Sequence, residues 1–391
     1  MDTTQFENDV QRVPWQNIFH MDNVNDKVQF LCWNMLHLVN NYTSVRTIKV
    51  TKRNEPWITT TIKIAMNLRN KALKKFKTTK LHTDWSYYKS LRNQVNFMVK
   101  QEKAAFFKHK INSNNKQLWK ELKQLLSPNS VQPDLPAHLD NPEAINTFFV
   151  NSIPNSNDQN VTQLINFYKN NKIIHNQSFK FSTVETSHVA KIISGIKSTA
   201  YGSDGININI LRLFCPIIEP YLTHVINMVL LTSIYPEAWK KAVITPLPKT
   251  PRPNEFKDLR PISILPVMSK IIEKIMNDQL RAYVDAKHII PDHQSGFRPN
   301  YSCTTALIDT VDDIITATDS KLISVLALLD YSKAFDTINH GILLSILESI
   351  GLSCQAVKLF DSYLTGRCYD EEILNSAASF LWGPALGFGL Y

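Results

Sequence analysis

Apolar and polar positions along this chain follow several distinct rhythms. Near the amino terminus Val28, Leu31, Leu36 and Val39 recur loosely at helical spacing, which predicts a helical lead-in over 1–51. From 57 to 123 the helical rhythm strengthens. Trp85, Tyr88, Leu91, Val95 and Met98 stand three or four apart, one stripe of an amphipathic helix, with Lys89, Arg92, Lys100 and Lys103 on its other faces. The rhythm then lapses. `SPNSVQPDLPAHLDNP` is punctuated by proline and `NSIPNSNDQNVTQLINFYKNNK` is rich in Asn and Ser, so 127–180 reads as a linker with short helical pieces such as `PEAINTFFVNSI`.

Beyond 181 the pattern tightens into a compact domain of mixed elements. `SFKFST` reads as a short strand, and `VAKIISGI` and `ILRLFCPIIEPYLTHVINMVLLTS` as helices, with Pro216 and Pro220 marking a break or a start between turns. `KAVITPLPK` places Val243, Thr245 and Leu247 on one face of a half-buried strand. `LRPISIL` alternates likewise, so the two predict a β-hairpin around the loop `TPRPNEFKD`. Ser269 is positioned to cap `KIIEKIMNDQLRAYV`, whose Ile271, Ile275 and Tyr283 face a core. `SVLALLD` is a continuous apolar run, expected as a buried strand ending on Asp330. Asp336 then serves as N-cap to `TINHGILLSILESI`, which Gly351 ends. Asp204 and Gly205 in `GSDGI` predict a turn and a helix cap. The fold class is α+β.

Charge changes the picture. The chain carries a net +9, but between Lys52 and Lys123 stand 18 Lys or Arg against four Asp or Glu, a local balance of +14. One basic helical stretch on an otherwise mildly acidic chain suggests a polyanion partner, against the plainer account of a solvated helical face. The apolar run `YLTHVINMVLLTSIY` is short for a membrane span and holds His224 and Asn227, so no membrane partner is expected. Five scattered cysteines without a C-x-x-C pair argue against structural zinc and a disulfide framework, and a cytoplasmic or nuclear setting fits them.

Asp330 is the residue without a structural account. A carboxylate at the tip of a buried strand is costly unless water, a cation or donors meet it, and Mg²⁺ takes oxygen ligands of this kind. The blocks `YGSDGININILRLF`, `YPEAWKKAVITPLPK`, `FKDLRPISILPVMSKIIEKIMNDQL`, `HQSGFRPNYSCTTALI` and `VLALLDYSKAFDTINH` occur in one order at compact spacing. Together, over roughly residues 190–366, they resemble the reverse transcriptase domain of non-LTR (LINE-type, jockey-like) retrotransposons. The basic stretch `WSYYKSLRNQVNFMVKQEKAAFFKHKI` resembles the region that joins endonuclease and polymerase in those elements.

The resemblance implies an incomplete right-hand polymerase, fingers and partial palm, over 181–391, preceded by a basic helical nucleic-acid-binding region over 52–126. It implies an RNA template, a DNA primer, deoxynucleotides and Mg²⁺. Asp330 is then the motif A aspartate and a ligand to the metal, with the Tyr331 carbonyl beside it. Phe335 falls at the gate against a nucleotide 2′-hydroxyl; packing under the strand is the alternative. Arg260 contacts nucleotide phosphates, with Lys249 adding charge. Arg298 holds template or fingers geometry, unless it serves only a solvated turn. The sequence also departs from the family pattern. No [FY]-x-D-D follows Asp330: Asp312–Asp313 lies upstream, and `YDEE` at 369–372 follows the `YLTGR` helix. The family's G-x-P-Q-G block is likewise missing. The expectation is therefore a truncated, inactive polymerase, with a non-catalytic nucleic-acid-binding protein as the rival.

Overall fold

The computed structural model describes residues 3–43, 55, 57–111, 135–136, 138–150, 159–172, 178–331, 334–335 and 337–369. Contacts divide the chain into a larger unit, 1–44 with 135–391, and a smaller one, 45–134. In chain order the first helices are α1 (Thr3–Arg12) and α2 (Val24–Tyr42) of the larger unit, then α3 (Thr60–Thr79) and α4 (His82–Ile111) of the smaller. The larger unit continues with α5 (Pro142–Val150), α6 (Gln159–Asn170), α7 (Thr186–Gly195), α8 (Ile208–Thr232), β1 (Lys241–Pro248) and β2 (Leu259–Ile264). It closes with α9 (Val267–Ala286), α10 (Cys303–Asp319), α11 (His340–Ser349), α12 (Cys354–Leu364) and β3 (Cys368–Tyr369).

The smaller unit is a helical hairpin. Thr59 caps α3 by accepting from the Ile62 N–H, and Lys80 in the left-handed region (φ 52°) turns the chain. Asp84 opens α4, accepting from the Thr79 hydroxyl at 2.6 Å and pairing with Lys75 at 2.9 Å. Those donors hold its carboxyl below the usual range, the Thr79 hydrogen bond most of all. The apolar stripe is the packing face: Val95 is buried, while Tyr88, Leu91 and Met98 are half-buried. Lys89, Lys100 and Lys103 remain exposed.

In the larger unit α8 is the central helix, contacted by α1, α2, α7, α9 and α12. Asn207 caps it, accepting from the Ile210 N–H at 2.9 Å. By length and composition α8 could cross a membrane, but half of its most apolar window is buried inside the protein. Pro216 and Pro220 do not break it. Both lie within one continuous helix, at exposed positions where water can reach the carbonyls freed of their intrahelical partners. The amino-terminal helices supply core to this unit. Phe6, Val28, Leu31 and Met35 join one cluster with Leu211, Phe214 and Ile271. Buried Lys27 donates to the Ile18 carbonyl at 2.6 Å and lies 2.9 Å from Nε2 of His224, and burial lowers its pKa. The stretch read as a linker also packs: Leu139 and Ile145 are buried, and α6 lies on α11.

The hairpin forms as its alternation predicts. β1 pairs antiparallel with β2 from Val243↔Ile264 to Pro248↔Leu259, and β3 adds parallel to the other edge, giving the order β2-β1-β3. Burial does not simply alternate: Ala242, Val243 and Ile244 are all buried and Thr245 is exposed. The central strand is covered on both faces where it enters the core. `SFKFST` contributes only a bridge, Phe179 to Leu352. Three other expectations need correction. Pro266, not Ser269, precedes α9; Ser269 is fully buried one turn in. Asn339 caps α11, accepting from the Ile342 N–H at 3.0 Å, while Asp336 lies outside the described residues. `SVLALLD` forms no regular element and pairs with no described strand, and Ile323 and Val325 are 94% and 89% exposed. An apolar run becomes a buried strand only where neighbours cover it, and no described neighbour does.

Candidate nucleotide and nucleic-acid site

β1 and β2 bring two of the sequence-predicted residues to one end of the hairpin. Arg260 stands opposite Leu247 in the register, and Lys249 follows two residues after Leu247. Both side chains are exposed. The loop between them is held by Asp258, whose Oδ2 accepts from the N–H groups of Asn254 at 2.9 Å and Glu255 at 3.2 Å. Those donors hold its carboxyl below the usual range. The Lys249 N–H donates to the Asp258 carbonyl at 2.7 Å, and its Nζ donates to the Lys257 carbonyl at 2.6 Å. Glu255 pairs with Lys257 at 2.8 Å, which raises the Lys257 pKa. The loop is thus shaped by its own backbone, with the Lys249 ammonium folded onto it and Lys257 neutralised by Glu255.

Behind β1 the `GSDGI` turn anchors the hairpin to the core. Gly205 takes φ +68°, and its N–H donates to the Gly202 carbonyl at 3.1 Å. Ser203 Oγ donates to the Lys241 carbonyl at 3.1 Å, tying the turn to the start of β1. Asp204 accepts from the Ile206 N–H at 3.1 Å, a turn contact; the helix cap is Asn207. Burial pushes the Asp204 carboxyl up to about 6.

The remaining candidates lie further along the chain. Arg298 donates to the carbonyls of Pro291, Asp292 and Gln294 at 3.1, 3.2 and 3.4 Å, and its guanidinium lies 4.6 Å over the Tyr301 ring. Its local function is to shape its own turn. Phe335 is 74% exposed and meets Phe297 edge to face at 5.9 Å, beside Arg298. Its ring therefore packs on a neighbouring loop, not under a strand.

Asp330 and Tyr331 are exposed, and no hydrogen bond or ion pair joins the Asp330 carboxylate to another described residue. Among the described residues no group of three or more His, Cys, Asp or Glu could hold a metal ion. Asp330 and the Tyr331 carbonyl are hard oxygen donors of the type Mg²⁺ accepts, but alone they do not complete a magnesium site. Asp312 and Asp313 lie in α10. Sequence reasoning did not single out Gly202, Phe256, Phe148 or His138. Their only signals were the prolines around `NEF` and the paired aromatics of `NTFF`.

Residues 247–381 match the family model described as reverse transcriptase (RNA-dependent DNA polymerase). The segment starts within β1 and includes Lys249, Arg260, Arg298, Asp330, Tyr331 and Phe335. Among curated proteins the chain is 35% identical over 180 residues to the fruit fly (Drosophila melanogaster) protein named "Probable RNA-directed DNA polymerase from transposon X-element", covering 44% of this chain and 20% of that one. It is 31% identical over 199 residues to the RNA-directed DNA polymerase from mobile element jockey of the same species, covering 50% and 21%. A Drosophila funebris jockey polymerase is 28% identical over 217 residues, covering 53% and 24%. The chain therefore spans about a fifth to a quarter of the length of these relatives. Residues 247–381 are therefore similar to a reverse transcriptase domain, as are the relatives named for polymerases of transposons and mobile elements of the non-LTR type.

Proposed function

We propose that this chain supplies the fingers and part of the palm of an RNA-directed DNA polymerase, with a basic helical hairpin as its nucleic-acid-holding element. The observation that carries this reading is the family match over 247–381, which takes in the Lys249–Arg260 hairpin and Asp330 together. The exposed Lys249 and Arg260 side chains sit at one hairpin end, where a planar guanidinium and an ammonium suit the triphosphate of a deoxynucleotide. Asp330 and the Tyr331 carbonyl contribute two oxygen donors toward Mg²⁺, which when bound would neutralise phosphate charge; further donors are needed to complete that site. Phe335 presents an aromatic face that discriminates against a 2′-hydroxyl, and Arg298 positions the turn that carries its packing partner Phe297.

The test is primer extension on an RNA template with purified protein and Mg²⁺. The 391-residue chain, in which no [FY]-x-D-D follows Asp330, is expected to stay at background. A longer polypeptide that supplies that motif is expected to extend the primer and to lose activity in Asp330→Ala. Synthesis by the chain that persists in Asp330→Ala would refute the assignment. The compact α3–α4 unit with its exposed lysines favours a second reading, a non-catalytic RNA-binding protein. Salt-sensitive RNA binding by the intact chain, abolished by substitutions in α4 alone, is what that reading expects.

A further inference from the structure

The α3–α4 hairpin has two unlike sides, and the polymerase reading uses only one of them. The helices pack on each other along a seam in which Ile62, Ala72 and Val95 are buried. On one flank of that seam stand Lys63, Lys74 and Lys77 of α3 with Lys89 and Lys100 of α4, all exposed. The other flank differs. Ile64 and Leu68 form a row on α3, and Tyr87, Ser90, Gln94 and Phe97 follow one another at three- and four-residue steps on α4. At about 100° per residue, both rows lie roughly 80–160° round from the buried positions, in the same rotational sense. In an antiparallel pair, rotation of the same sense brings the two rows to the same side. The chain turns at Lys80, so Ile64 stands level with Phe97, and Leu68 with Asn93 and Gln94. Ile64, Leu68, Tyr87 and Phe97 are between 48% and 63% exposed. No ring contact or side-chain hydrogen bond engages Tyr87, Ser90, Gln94 or Phe97 among the described residues.

We infer that this side of the hairpin is a homodimer interface, on which two copies of the chain pack face to face as a four-helix bundle with their lysine sides outward. The inference goes beyond the polymerase reading and does not depend on it. Charge selects the face. The basic stretch repels its own copy, so two such units meet only where charge is low. Along α3 and as far as Gln101 of α4, the charged groups on this side are Lys71 and Lys75, and Lys75 pairs with Asp84 at 2.9 Å. The area suffices. A 20-residue helix is about 30 Å long, and two helices side by side are about 20 Å wide. Two such faces bury about 1,200 Å² together, the lower bound of a stable specific interface. The chemistry suits self-pairing, since the Ser90 hydroxyl and Gln94 amide each donate and accept, and a twofold mate returns both groups around the apolar row. Nucleic acid is the poorer occupant of this side, because its phosphates need the cations that lie opposite.

The experiment is sedimentation equilibrium of the full chain, cleared of nucleic acid, across the micromolar range at low and high salt. A reversible dimer is expected, and it should hold or tighten as salt screens the lysines. Leu68→Glu and Phe97→Glu change exposed helix positions, so helical content should not change. Each is expected to weaken the dimer by about thirtyfold, the size of one interface anchor. Lys89→Gln, on the opposite side, should leave the dimer intact. A chain that stays monomeric at every concentration would overturn the inference. So would a dimer that dissolves in salt, which residual nucleic acid would be bridging, or one that survives both glutamate variants, which would lie on another surface. Dissociation of the dimer on adding RNA would also overturn it, by placing the nucleic acid on the same side.

Discussion

Two residues of the `GSDGI` turn show how backbone position and burial combine behind the hairpin. A Cβ built on Gly202 would lie 2.6 Å from both Cα and N of Pro266 and 2.8 Å from the Leu265 carbonyl carbon, all backbone atoms. No side-chain motion relieves such a contact. Gly202→Ala is expected to destabilise the larger unit by about 1–3 kcal/mol, the usual size of an overpacking penalty, measured by urea denaturation. Two residues on, Asp204 uses Oδ1 for the Ile206 N–H while buried Oδ2 has no hydrogen-bond partner. Burial raises its pKa from 3.8 to about 6, opposed by the Ile206 N–H and by Lys270 of α9, with Cys32 of α2 also within electrostatic reach. A carboxyl raised in the folded state favours folding when protonated, so its contribution is present below pH 4 and is lost as pH rises through about 6. The difference amounts to about 3 kcal/mol. Asp204→Asn keeps the accepted hydrogen bond and removes the charge. It should match the wild type at pH 4 and exceed it in stability at pH 7.5; equal stability of the two at both values would contradict the burial account.

At the level of elements, the α3–α4 hairpin and the segment 322–330 make opposite cases. The hairpin's stripe packs within its own unit, which leaves Lys89 and Lys100 exposed for a partner, while Lys75 pairs with Asp84 and Lys103 lies over the Trp57 ring. Replacing Lys89, Lys100 and Lys103 with Gln should lower single-strand RNA affinity and flatten the log–log salt dependence by about 0.7 for each phosphate contact removed. Helical content should not change. The segment 322–330 carries as strong an apolar signal, yet Leu328 and Leu329 are exposed like Ile323 and Val325. Charged substitutions there, Ile323→Lys and Leu328→Lys, are expected to shift stability by no more than about 0.5 kcal/mol in this chain, as at other exposed positions, and to reduce dye binding to exposed apolar surface. The contrast explains what could be read in advance. The `KAVITPLPK`–`LRPISIL` hairpin and the α4 stripe were legible because the partner needed for burial lies close by in the sequence. The fate of `SVLALLD` was not, because burial of a strand depends on distant neighbours that its own pattern does not name. Caps were legible in kind but not in place. Asn207 and Asn339 took positions assigned to Asp204 and Asp336, since a few residues of helix-start ambiguity separate equally competent side chains. At the candidate site, the placement of Lys249 and Arg260 on one hairpin followed from the two alternating runs, with Arg260 opposite Leu247. The Phe256–Phe148 contact did not, because no periodicity connects residues more than a hundred positions apart.

For the molecule as a whole, the amino-terminal 44 residues matter more than their weak pattern suggested. Phe6, Val10, Trp15, Ile18, Val28, Leu31 and Met35 are buried in the same cluster as the α8 and α9 residues that back the hairpin, and no described residue of 45–134 belongs to that cluster. Stability of the polymerase-like part should therefore respond to the amino terminus and not to the basic hairpin, although the hairpin lies between them in sequence. Leu31→Ala removes a fully buried side chain and is expected to cost about 2–5 kcal/mol. Hydrogen exchange read segment by segment should show that loss across α2, α8 and α9 alike, because they share one core. Val95→Ala, buried within the hairpin, should accelerate exchange in α3 and α4 and leave α8 and α9 unchanged. Faster exchange in α8 on Val95→Ala, or protection of α8 that survives Leu31→Ala intact, would contradict this division of the stability between the two units.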